Sequence, residues 1–90
     1  MNVTLYIFKV QREFVDSALG DRYIAQVHQF GTTKSKWTGV ESLVELHYKI
    51  QSAFGGMDWS EVETSLEDKG GYILTKEIEE FQYHQLFAGQ

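Results

Sequence analysis

The chain contains no cysteine. No disulfide and no thiolate metal site can hold it together, and a cysteine nucleophile is excluded. Proline is absent as well, and a chain lacking both residues suits a reducing cytoplasm. No run approaches the ~20 consecutive apolar residues that a membrane-spanning helix needs. The opening stretch MNVTLYIFKVQREF lacks the basic region and small-residue cleavage site of a secretory signal. The expectation is a soluble cytoplasmic protein with no membrane partner.

Basic residues are also few, 8 against 13 acids, for a net charge of −5. The imbalance is uneven. Residues 1–39 hold five cations and three acids, a sum of +2, whereas residues 40–90 hold three lysines and ten acids, a sum of −7. An acidic surface repels bare nucleic acid and favours basic protein surfaces.

With 90 residues the chain makes one domain, 1–90. A domain of this size buries only about 60–65% of its unfolded surface, so its core is thin. Aromatic residues, 14% of the chain, are expected to supply much of the packing.

The clearest element is a helix over residues 38–54, within TGVESLVELHYKIQSAFGG. Thr38 and Glu41 fit a capping box, in which hydroxyl and carboxylate each satisfy the other's main-chain N–H. Val40, Leu43, Val44, His47, Ile50 and Phe54 form one stripe at helical spacing, widened by Leu46 and Ala53. Gly55-Gly56 predicts a left-handed C-cap.

Val3–Val10 reads as a strand with two apolar faces, with an extension to Phe14 open. A loop follows over residues 16–21, and Arg22–Phe30 reads as a second strand. Gly31–Lys34 predicts a tight turn, and Ser35–Thr38 a short third strand carrying Trp37. Asp58 with Glu61 predicts the start of a second helix, with Trp59, Val62 and Leu66 as its apolar stripe and Gly70-Gly71 as its stop; alternation of Val62, Thr64 and Leu66 leaves a strand as the rival. Tyr72–Thr75 reads as a strand. Residues 76–87 fit a helix through Ile78, Phe81 and Gln85, and a strand through Phe81, Tyr83 and Phe87.

The fold expected is α+β: a small antiparallel sheet of three to four strands, the main amphipathic helix on one face, and a mixed acidic C-terminal segment at an edge. The expected core is Val3, Leu5, Ile7, Ile24, Val27, Leu43, Leu46, Ile50, Phe54, Val62 and Leu66, closed at one end by Trp37 or Trp59. The order of two or three strands followed by a capped helix is similar to that of HicB-like antitoxins and some anti-CRISPR inhibitors, and element order does not carry function.

Catalytic spacing is missing. His28, His47 and His84 fall on separate elements without HxH or HxxxH spacing. No GxSxG elbow occurs, and neither glycine pair fits GxGxxG or GxxxxGK[ST]. No enzyme activity, cofactor or metal is expected. A Tyr23/Trp37 sheet face with Arg12, Arg22, Lys34 and Lys36 nearby is the one nucleic-acid-like or small-ligand-binding feature, but it lacks the RNP-type aromatic signature.

Residues 58–80 carry eight acids against Lys69 and Lys76, interleaved with aromatics. Acids steer a basic partner and aromatics anchor it. The candidate protein-binding residues are Asp58, Trp59, Glu61, Glu63, Glu67, Asp68, Tyr72, Glu77, Glu80 and Tyr83. The expected function is a non-enzymatic interaction module, regulatory or inhibitory, whose partner is a protein with a basic surface. Nucleic-acid-handling proteins are one such class, since acids can occupy their basic channels in place of phosphate, as phage- or mobile-element-encoded inhibitors do. The alternative is a self-associating domain, a homodimer paired through an open sheet edge.

Overall fold

The computed structural model describes residues 1–10 and 22–87. Its elements run β1 (Asn2–Lys9), β2 (Tyr23–Gln29), β3 (Ser35–Val40), α1 (Leu43–Phe54), α2 (Trp59–Lys69), β4 (Gly71–Glu77) and α3 (Glu80–Gln85). The extension of the first strand towards Phe14 and the loop at 16–21 lie outside the described residues.

The four strands form one antiparallel sheet in the order β3-β2-β1-β4. The register aligns Leu5 with Val27 and Leu74, and Ile7 with Ala25 and Tyr72. With the period-two alternation of strands, one face then collects Val3, Leu5, Ile7, Ala25, Val27, Thr38 and Val40, all buried. The helices cover this face and complete the core with Leu46, Ile50, Ala53, Phe54, Val62, Leu66 and Tyr83, joined by Ile78, Leu86 and Phe87 from the segments flanking α3. The other face is bare. There Phe8, Ile24, Trp37 and Ile73 are 43%, 37%, 65% and 64% exposed.

Four expectations change. The main helix begins at Leu43, because Thr38 and Val40 are paired to β2 as the end of β3. Its cap is Ser42, whose hydroxyl accepts from the Glu45 N–H at 3.2 Å, while the Glu45 carboxylate accepts from the Glu41 N–H at 3.2 Å. Gly55 is right-handed, so the helix does not end on a left-handed residue. Ile24 and Trp37 are absent from the core because they alternate onto the bare face, and the apolar stripe of α1 is rotated so that Val44 is 67% exposed. The tail is split: residues 76 and 77 finish β4, and only Glu80–Gln85 is helical.

The second helix forms as its caps predict. Asp58 Oδ1 accepts from the N–H groups of Ser60 and Glu61 at 3.0 and 3.3 Å. Gly70 ends it at φ 75°, a conformation that glycine reaches without the Cβ penalty, and its N–H returns to the Leu66 carbonyl at 2.9 Å. Two lysines stitch strands to helix ends. Lys76 donates to the Ala53 carbonyl at 2.6 Å, and Lys36 to the His84 carbonyl at 3.1 Å. Each places a cation on the last turn of a helix, where carbonyls lack partners and the dipole is negative.

A candidate docking groove between α2 and the edge strand β4

The main-chain bonds of β4 can be read from its ends. Ile78 and Met1 exchange bonds at 2.8 and 2.7 Å, and the Lys9 N–H reaches the Gly70 carbonyl at 3.1 Å. Antiparallel pairs alternate between bonded and non-bonded positions. Tyr72, Leu74 and Lys76 therefore turn their N–H and C=O groups towards β1. Gly71, Ile73, Thr75 and Glu77 turn theirs to the outer edge. The Gly71 carbonyl is satisfied by the Ser65 hydroxyl at 2.6 Å. No hydrogen bond among the described residues uses the other edge groups, and with no proline in the chain each of these residues keeps its N–H.

Beside this edge runs α2. A depression of about 880 Å³ separates them, with Asp58, Glu61, Thr64, Asp68 and Lys69 on the helix side and Phe8, Tyr72 and Ile73 on the sheet side. A second depression of about 320 Å³ continues it along Leu74 to Lys76 and shares Asp58, Glu61 and Tyr72. Gly71 matters here by having no side chain. A Cβ there would stand 3.6 Å from Phe8 Cδ1, so the bare position leaves that ring open to the groove. The Tyr72 hydroxyl has its pKa raised, first by burial and then by the charges of Glu61 and Asp58. Both carboxylates thus lie close enough to Tyr72 to act on its hydroxyl.

The expected interface residues do not form one surface. Asp58, Glu61, Asp68 and Tyr72 meet in the groove. Trp59 and Glu63 lie on the opposite flank of α2, in a depression of about 290 Å³ with Leu43, Val44, His47 and Tyr48. There the Trp59 ring stands edge-on to His47 at 5.4 Å, and its buried indole N–H has no acceptor. Glu67 is exposed on α2, and Glu77 is exposed at the far end of β4. Glu80 lies on α3 at 3.6 Å from His84. Tyr83 is 5% exposed and belongs to the core, with the Lys36 ammonium 5.0 Å above its ring, so it cannot serve as a contact residue.

The Tyr23/Trp37 face also needs correction. Tyr23 aligns with Val40 and points to the helices, whereas Trp37 aligns with Gln26 on the bare side. Lys36 is tied to α3, and Arg12 lies outside the described residues. Among the described residues Tyr23 and Trp37 therefore stand on opposite faces of the sheet, and Lys36 does not share the face of Trp37.

Phe8, Ile73, Ser60 and Thr64 were missed as groove residues. Glu61, Thr64 and Asp68 share the i, i+3, i+7 spacing of one helix flank, which was available as a signal. Phe8 and Ile73 had none, since their nearness depends on the β1–β4 pairing.

Among the described residues no three His, Asp or Glu side chains are grouped as a metal site would need. No helix in that set is long and apolar enough to cross a membrane. No protein-family model, no curated protein and no solved structure matches this chain.

Proposed function

We propose that this chain is a non-enzymatic protein-interaction module that takes a basic surface of another protein into the groove between α2 and β4. One observation carries the reading: acids and apolar side chains border a single open depression, lined by Asp58, Glu61 and Asp68 with one cation, Lys69, on α2 and by Phe8, Tyr72 and Ile73 on the sheet. Apolar contact anchors a partner, and the acids select one of opposite charge and speed its encounter. Such a module regulates or inhibits by occupying the partner's basic surface. Nucleic-acid-handling proteins are a fitting class, because their basic channels accept carboxylates where phosphates would lie.

The test is binding to immobilised polylysine at rising salt, comparing two variants of equal net charge. Glu61→Lys with Asp68→Lys alters the groove, and Glu45→Lys with Glu80→Lys alters exposed acids elsewhere. The reading expects salt-sensitive binding that only the groove pair abolishes. Binding lost equally in both, or insensitive to salt, contradicts it.

A second reading, self-association, is favoured by the bare sheet face. Its strand positions carry Phe8, Ile24, Trp37 and Ile73 and a single charged residue, Glu77. Two copies pressed together there would keep their acidic helices apart. Sedimentation as a strict monomer at high concentration removes this reading.

A further inference from the structure

Resting on the groove reading, we infer that the partner enters as an extended basic segment that adds a fifth strand to the sheet along β4. The edge is equipped for it. Ile73, Thr75 and Glu77 present main-chain donors and acceptors outward, in a strand without proline and with no described neighbour on that side. Proteins usually blunt such an edge with proline, a bulge or an inward-pointing charge. The only inward lysine of β4, Lys76, is already held by the Ala53 carbonyl and the Phe54 ring.

Charge decides what can occupy the edge. A strand added here lies about 4.8 Å beyond β4 and sends alternate side chains towards the helix side of the sheet. Those side chains would meet Asp58, Glu61 and Asp68, three carboxylates against the two lysines, Lys69 and Lys76, that line the same depressions. Lysine or arginine at every second position suits that wall, and the intervening residues would lie beside Ile73 and Thr75 on the bare face. Strand addition of this kind takes affinity from main-chain bonds and specificity from alternate side chains.

The same wall disfavours a second copy. Antiparallel pairing of β4 with another β4 would put both α2 helices on one face of the joined sheet, acids against acids. The carboxylates thus act against self-pairing and in favour of a basic strand.

The experiment uses two labelled ten-residue peptides of identical composition, five lysines and five threonines. One alternates the two residues and the other places the lysines in one block. Fluorescence anisotropy at low salt reads their affinities. Strand addition predicts that the alternating peptide binds about tenfold more tightly. Thr75→Pro removes one outward N–H and no bond to β1, so the fold survives and the preference disappears; Ile73→Pro, checked by its melting curve, does the same at the neighbouring edge position. Equal affinity of the two peptides, or a preference that persists in both proline variants, overturns strand addition while leaving the groove reading in place. Binding of neither peptide overturns both. A dimer in sedimentation that Thr75→Pro converts to monomer would assign the edge to a second copy and overturn the basic-strand proposal.

Discussion

Along β3 the main chain of Ser35, Trp37 and Gly39 faces outward, because Lys34, Lys36, Thr38 and Val40 turn towards β2. Along β4 the outward groups are those of Ile73, Thr75 and Glu77. As templates for a further strand the two edges are alike. Their surroundings are not. Beside β3 lies a cation, Lys36, spent on the end of α3, and the bulky Trp37 indole is 65% exposed. Beside β4 lies an acidic helix with a concave gap between. The hydrogen-bonding capacity of an edge says that something can pair. The charge next to it says what.

The largest expected effect comes from loosening the wall itself. Leu66 is 3% exposed and anchors α2, so Leu66→Ala should cost about 2–5 kcal/mol in denaturant unfolding. Trp37→Ala on the β3 edge, removing an exposed ring, should stay within about 0.5 kcal/mol. Similar costs for the two would mean that the edges are not built as described.

Next is charge reversal. Glu61→Lys with Asp68→Lys should weaken binding of the alternating lysine peptide at least about tenfold, and Lys36→Glu beside β3 should change it less than about twofold. Anisotropy at fixed salt measures both.

Asp58 serves the wall twice, as a groove acid and as the α2 cap. Asp58→Ala should cost about 1 kcal/mol of stability, read from the melting temperature. Asp58→Asn keeps a capping oxygen and removes the charge, so it should retain stability and lose peptide affinity.

The smallest effect is a pH dependence. Tyr72 and Tyr83 both have raised pKa values, Tyr72 through burial and then Glu61 and Asp58, and Tyr83 through burial alone. A tyrosine harder to ionise when folded adds stability that is intact below its unfolded value of about 10 and is lost as pH rises through the folded value. Stability should therefore fall above about pH 10, less steeply in Tyr72→Phe or Tyr83→Phe. Only the Tyr72 titration should move towards its ordinary value on Glu61→Gln, as followed by ultraviolet absorbance.

Much of this arrangement was written in local pattern. Val3, Leu5 and Ile7 alternate as a buried strand face, and Asp58 through Gly70 spells a helix with both ends marked. The failures came where two local readings were equally good and a distant partner chose. Thr38-x-x-Glu41 fits a helix start locally, but Thr38 and Val40 pair with Ala25 and Tyr23, so the cap falls to Ser42. Ile24 and Ala25 are both apolar, and only the covering helices decide which is inside. At the site, the acids of residues 58–68 were legible as a charged stretch. Their division between two flanks of α2 was not, because it depends on where the helix lies against β4. The outward edge itself left no trace in the sequence, since strand order is a property of pairing.

Amide hydrogen exchange on β4, with and without the alternating lysine peptide, reads strand addition residue by residue. In the free protein, Tyr72, Leu74 and Lys76 amides should exchange slowly and Ile73, Thr75 and Glu77 amides fast. On binding, Ile73 and Thr75 should become protected while Trp37 on the opposite edge does not. Protection confined to α2, or appearing at Trp37 instead, would contradict strand addition.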